Sequence, residues 1–416
     1  MADCIPLHTS YLPDELLLEI LDYLKDECDT QKTLVNCCLV NRQWYDVSIP
    51  LLYASPYLSG GAYALFVRTV CPSVNAHIKK SQLAGLVKVL DLSHIVHQGN
   101  KSTTARLLGR MKSSLEVFIA PQASFAVNCW ASLSKCSRLR SLDLGLVSEC
   151  VSYQSLTQTL RQLGALTELY LPRCSSRYDA ARLAVTIRWP PRLRHLSLAG
   201  SIHGKFLGDM LRQPDNFPPG LTSLAVSHCP GLSHHGVRPL LQGLGQALTE
   251  VKLTDLPAVK QGRFNEILEW LPRLERLTIA LDYIDENFAE PPDNFNPTRW
   301  REAKPLTSLT LVSSGHADLA AYPFTAVDLY SLIDERFLGR LRWLQIARST
   351  GWHVAGEGAE LGALEMLLWE VDEENWRNRR WHYEGLGAGV PVGMVYEEWE
   401  DTERGRRMRP RLRVVD

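Results

Sequence analysis

The sequence predicts an α/β protein in which a small all-α bundle precedes a solenoid of parallel inner strands and outer helices. Three observations predict it. A phrase with apolar residues at i, i+3 and i+5 recurs eleven times, starting at Val87, Leu115, Leu139, Leu166, Leu193, Leu221, Leu248, Leu274, Leu306, Leu341 and Leu364. The starts are 28, 24, 27, 27, 28, 27, 26, 32, 35 and 23 residues apart, a mean of about 28, which suits one strand plus one helix per repeat. The segment before the first phrase carries its apolar residues at helical spacing instead.

The helical segment opens at Leu12-Pro13-Asp14-Glu15. Pro13 suits a first helical position, and Asp14 and Glu15 favour the positive helix end. Leu16, Leu17, Ile20, Leu21 and Leu24 are expected to line one stripe. Asp29 and Thr30 offer caps for a second helix that carries Leu34, Cys38 and Val40 and ends near Asn41 to Tyr45. A block of about 45 residues cannot bury so many large apolar groups alone. It must pack on the next domain, on a partner, or on both.

Together with Leu39-Val40-Asn41-Arg42-x-Trp44 and Pro50-Leu51-Leu52-Tyr53, that opening resembles an F-box over residues 10–55. The resemblance implies a helical bundle that docks on the Skp-family adaptor of an SCF-type cullin–RING ubiquitin ligase. It makes Leu12, Pro13, Leu16, Ile20, Leu24, Leu39, Val40 and Trp44 the docking or core positions, which sequence alone does not sort. One departure is that Cys38 precedes Leu39-Val40, whereas many members place a cysteine after the valine, where this chain has Asn41. The alternative is a helical cap that merely closes the solenoid.

The repeats read as leucine-rich repeats. Strand side chains alternate faces, so the leucines point inward and the residue between the last two points to solvent. Those outward positions are Asp91, Ile119, Asp143, Tyr170, Ser197, Ala225, Lys252, Thr278, Thr310, Gln345 and Leu368. No charge sign dominates them, and Arg140, Arg194 and Arg342 are spread over distant repeats rather than clustered as a phosphate reader would need. Tyr170, Trp343 and Leu368 are the candidate anchors for a target protein. Between strands, Leu156, Leu160 and Leu163 share one helical face. The stretch from Cys229 to Val237 resembles the cysteine-containing repeat subtype of F-box proteins. Cys174 and Cys229 are expected to be buried thiols, and His228, His234 and His235 loop residues rather than metal ligands. The two longest steps are expected to hold irregular loops at 282–305 and 312–340.

Towards the C-terminus, Trp369, Trp376, Trp381 and Trp399 are expected to cap the last repeat. The acidic run from Glu397 to Glu403 and the arginines from Arg404 to Arg413 read as a solvated tail. Gly385 to Gly389 reads as loop. The expected domains are therefore an F-box at 10–55, a linker or capping helices at 56–85, a leucine-rich-repeat solenoid at 86–372, and a cap with a charged tail at 373–416.

Net charge is −1, from 45 basic and 46 acidic residues, so no global field selects nucleic acid or membrane. No apolar run reaches the roughly 18 residues of a membrane span, and the first ten residues lack the pattern of a leader. Ten scattered cysteines without C-x-x-C suit a reducing compartment, cytoplasmic and/or nuclear. No nucleotide loop, nucleophile elbow or metalloprotease motif occurs, and no cofactor is expected. The expected role is a non-catalytic substrate-recognition subunit; the alternative is an interaction scaffold with no part in ubiquitin transfer.

Overall fold

The computed structural model describes residues 12–26, 30–72, 81–95, 101–123, 125–148, 151–172, 188–200, 202, 207, 217–315, 323–353, 358–378 and 394–416. The chain divides into two compact units, Met1–Glu168 and Leu169–Asp416.

The first unit opens with α1 (Asp14–Asp22), a 3-10 turn, α2 (Thr30–Cys38) and α3 (Arg42–Ala54). Leu17 and Leu21, one turn apart on α1, meet Leu34 and Val47 in a small core. Leu24, Cys37, Trp44, Leu51 and Leu52 pack around it. The expected single stripe on α1 is therefore two stripes. Leu17 and Leu21 go inward, while Leu16 and Ile20, offset by about 100° on a 3.6-residue helix, stay exposed. The second helix also ends earlier than its apolar residues suggest, at Cys38. Asn41 does not sit near its end but caps the next helix, its side chain accepting from the Trp44 N–H at 2.9 Å. Gln43 on α3 donates to the Leu12 carbonyl and the Asp14 carboxylate, both at 2.7 Å, and so fixes the start of α1.

α4 (Gly60–Val70) follows, then β1 (Val89–Asp91), α5 (Lys101–Met111), β2 (Val117–Ile119), α6 (Val127–Leu133), β3 (Ser141–Asp143) and α7 (Tyr153–Leu160). β1, β2 and β3 pair in parallel, with Leu90, Phe118 and Leu142 in register and fully buried. β4 (Glu168–Tyr170) lies at the division between the units.

The second unit continues with β5 (His195–Ala199), β6 (Ser223–Ser227), α8 (His234–Leu244), β7 (Glu250–Thr254), α9 (Ile267–Trp270), β8 (Arg276–Ala280) and β9 (Ser308–Val312). Then come α10 (Ala326–Asp334), β10 (Trp343–Ala347), α11 (Gly358–Asn378), α12 (Tyr396–Glu400), α13 (Glu403–Met408) and β11 (Arg411–Val415). From β5 to β11 each strand pairs in parallel with the next in sequence. Two apolar ladders cross the sheet on its helix side. One runs through Leu196, Leu224, Val251, Leu277, Leu309 and Leu344, and the other through Leu198, Val226, Leu253, Ile279, Leu311 and Ile346. All are buried, and truncating such a residue to alanine costs about 2–5 kcal/mol. The residue after the strand turns left-handed in three successive repeats, at Gly200 (φ 78°), His228 (φ 53°) and Asp255 (φ 50°). Glycine, histidine and aspartate are among the residues that tolerate this conformation.

Ten of the eleven phrases give a strand beginning two residues after the phrase does, β1 to β10. The eleventh does not: Leu364 lies inside α11, and Leu368 is fully buried in a helix rather than outward on a strand. Leu364, Leu367, Leu368 and Val371 recur at i, i+3, i+4 and i+7, so the helical period wins over the phrase. The last strand is instead β11, formed by arginine-rich sequence that reads as solvated tail. The expected loop at 312–340 likewise contains α10, whose capping box joins Thr325 and Asp328. At 282–305 the chain is irregular turns, with Phe288 and Ala289 buried and Phe295 edge-on to Phe337 at 5.1 Å.

Candidate functional site

Two surfaces carry the residues that the sequence singles out. The first is the α1–α3 bundle. Its small core draws in Leu24 and Trp44, so these two of the eight candidates are structural. The other six, Leu12, Pro13, Leu16, Ile20, Leu39 and Val40, are exposed. Leu39 is 78% exposed, Val40 62%, Ile20 45% and Leu16 44%. Sequence reasoning missed Leu18, Tyr23 and Val35, which are also exposed large apolar groups on this bundle. The helical signal was there for Tyr23, which follows Leu16 and Ile20 at i+7. So many exposed large apolar side chains on one small bundle are what a docking face supplies. Cys37 and Cys38 are half-buried, Cys37 against the bundle core.

The second surface is the face of the strands opposite the apolar ladders, although on β5 and β6 its Ser197, Ser223 and Ala225 are buried rather than solvent-facing. In the second unit the register lines up His195, Ser223, Glu250, Arg276, Ser308, Trp343 and Arg411 in one row. The next row holds Ser197, Ala225, Lys252, Thr278, Thr310, Gln345 and Arg413. Tyr170 is half-buried and its ring lies 4.8 Å from that of His195, whose Nδ1 is 2.7 Å from the Ser223 hydroxyl. Trp343 is half-buried. Leu368 belongs to neither row, since it is core. The structure therefore leaves Trp343 and Tyr170 on strands and removes Leu368. The Arg276 guanidinium meets Glu250 at 2.7 Å, so that pair is locally neutral. Arg342 is not a surface flank. It is buried with its Nε 2.9 Å from Asp372, and Asp372 also accepts from the Tyr396 hydroxyl at 2.8 Å. Asn375 donates to the Gly339 carbonyl at 2.7 Å beside it. Trp376, Tyr396 and Trp399 form a core with Trp369, Met394 and Met408 against it. Trp381 and Gly385 to Gly389 lie outside the described residues.

The chemistry of the remaining candidates is quiet. Cys229 is buried, and burial pushes its thiol up to about 12; Cys136 goes to about 11 for the same reason. A thiol held protonated is neither nucleophile nor ligand. Cys174 lies outside the described residues. His228 is paired with Asp255, and His234 and His235 open α8 rather than sitting in a loop. Among the described residues no group of three His, Cys, Asp or Glu side chains could hold a metal ion, and no helix is long and apolar enough to cross a membrane.

The model of the COS11 F-box domain matches residues 9–98. The F-box protein YDR306C of Saccharomyces cerevisiae is 32% identical over 341 residues, covering 81% of this chain and 67% of the relative. The protein pof5 of Schizosaccharomyces pombe is 26% identical over 346 residues, covering 82% of this chain and 91% of the relative. Among solved structures, the yeast Rad7 and Elc1 complex is a distant likeness, with a TM-score of 0.42, 16% identity, and coverage of 72% of this chain and 88% of that one. The similarity to the budding-yeast protein extends far beyond the helical bundle, through most of the repeats: the chain belongs to the F-box proteins.

Proposed function

We propose that the chain is the substrate-recognition subunit of an SCF-type ubiquitin ligase. Its F-box docks the Skp-family adaptor, and through it the cullin–RING core, while its strand face, built of leucine-rich repeats, holds a target protein. The observation that carries the reading is the exposed apolar set on a bundle whose own core is already complete. Leu12, Pro13, Leu16, Ile20, Leu39 and Val40 would form the adaptor face, and Tyr170 and Trp343 would contact the target. The receptor would perform no bond chemistry. It would raise the local concentration of the target beside the charged ubiquitin carrier.

The test is retention of the full chain on an immobilised Skp-type adaptor, with Leu16→Asp and Leu39→Asp as variants. Both sites are exposed, so each variant is expected to keep wild-type circular dichroism and to lose retention by at least about ten-fold, a loss of roughly 1.4 kcal/mol. Unchanged retention in both variants would refute this adaptor face and leave an interaction scaffold.

A further inference from the structure

Arg411 and Arg413 lie on β11, the last strand of the sheet, whose outer side pairs with no strand among the described residues. β11 pairs with β10 along one side, with Trp343 opposite Arg411, Gln345 opposite Arg413 and Ala347 opposite Val415. Arg411 donates its backbone N–H to the Arg342 carbonyl on the β10 side at 2.8 Å. Alternation then points the N–H and C=O groups of Leu412 and Val414 the other way, along the free edge.

The side chains of this edge are unlike those of the strands behind it. Leu412 and Val414 continue the two apolar ladders, opposite Leu344 and Ile346. Those two partners are fully buried, whereas Leu412 is half-buried and Val414 is 39% exposed. The helix-side core is thus left partly uncovered at its last strand. On the other side, Arg411 and Arg413 stand next to Trp343 and Gln345. Arg413 is exposed and has no ion-pair partner among the described residues. The Arg411 Nε is buried with no hydrogen-bond partner, while its Nη2 donates to the Arg406 carbonyl at 2.7 Å. The nearby Asp416 carboxylate is taken by Arg348 at 3.0 Å.

The geometry points to strand addition: the β11 edge takes up an extended segment of a partner protein in which acidic and aliphatic residues alternate. Each half of that pattern answers one face. Aliphatic side chains at every second position complete the ladders beside Leu412 and Val414, and the acidic ones between them face Arg411 and Arg413. A second copy of this chain is a poor occupant, because antiparallel pairing of two such edges would set arginine against arginine. The anionic groups can be carboxylates or phosphates, which share this chemistry. The inference deepens the target-binding half of the function proposed above and does not depend on adaptor docking.

The experiment is fluorescence anisotropy on the full chain with labelled peptides of about nine residues, a length that suits a single strand. One alternates glutamate and valine, one alternates phosphoserine and valine, one has the glutamates and valines in two blocks, and one alternates lysine and valine. At least one alternating anionic peptide is expected to bind at least about ten-fold more tightly than the block and lysine peptides. Which of the two it is separates carboxylate from phosphate. Val414→Pro removes an edge donor without touching the β10 pairing, and is expected to abolish binding with circular dichroism and adaptor retention unchanged. Arg413→Glu, at an exposed site, is expected to reverse the preference towards the lysine peptide, and gives the answer should the proline variant misfold. Equal binding of the block peptide, no binding of either anionic peptide, or full binding by Val414→Pro would overturn the inference. A dimer that Val414→Pro dissolves would overturn it too, with the second copy as occupant. Lost adaptor retention with intact peptide binding would instead count against the ligase reading alone.

Discussion

At the scale of single residues, neighbours on α1 have opposite jobs. Leu17 is fully buried and Leu16 is not, although both are leucines in one apolar run. Leu17→Ala empties a site at the centre of a four-residue core and should destabilise the bundle by about 2–5 kcal/mol. Leu16→Ala removes an exposed side chain that lies outside that core and should change stability by about 0.5 kcal/mol or less, as surface substitutions do. Thermal or denaturant unfolding of the two variants checks the contrast; equal losses would mean that the two stripes of α1 are not distinct. Trp44 belongs with Leu17 in this respect, since it packs on the same core. Its truncation would weaken adaptor retention by loosening the bundle, so it is a poor probe of the docking face. The run Leu16-Leu17-Leu18 shows why the sequence did not separate these roles. Three adjacent leucines cover about 200° of a helix, and only the packing of Leu34 and Val47 decides which arc is the inside.

At the scale of elements, the repeat phrase reads well wherever a strand follows it and fails where a helix shares its spacing. Apolar residues at i and i+3 suit both, so the phrase at Leu364 was indistinguishable from the helical run that continues to Val371. β11 was illegible for the opposite reason. Arg411-Leu412-Arg413-Val414-Val415 does alternate, yet it follows a dense charge cluster that by composition resembles a solvated tail. What commits it to the sheet is tertiary: α11 and α12 are locked in front of it by Asp372, which bridges Arg342 and Tyr396. No spacing rule links residues 342, 372 and 396. Removing the carboxylate takes from the buried Arg342 guanidinium its charge partner at 2.9 Å, so Asp372→Ala should cost about 3–5 kcal/mol. Hydrogen exchange should then show the added opening concentrated in α11, α12 and β11. A loss below about 1 kcal/mol would show that the pair is solvated and that the terminal core alone holds the last strand.

At the scale of the whole molecule, the net charge of −1 conceals two surfaces of different physics. The α1–α3 face offers leucine, isoleucine and valine side chains, whereas β11 offers arginines beside incompletely covered aliphatic groups. Apolar burial is indifferent to ionic screening, while attraction between exposed charges is not. Raising the salt from about 0.1 M to about 1 M shortens the screening length from ~10 Å to ~3 Å. Retention on the Skp-type adaptor is therefore expected to persist across that range. Binding of an alternating anionic peptide at β11 is expected to weaken steadily, and Arg413→Gln should flatten its salt dependence. The pattern cannot come from global steering, because a chain this close to neutrality has no long-range field to screen. If adaptor retention fell with salt as steeply as peptide binding, polar contacts rather than the exposed leucines would be carrying the docking. The assignment of Leu16, Ile20, Leu39 and Val40 would then have to give way to the charged residues around them, beginning with Asp14, Glu15 and Arg42.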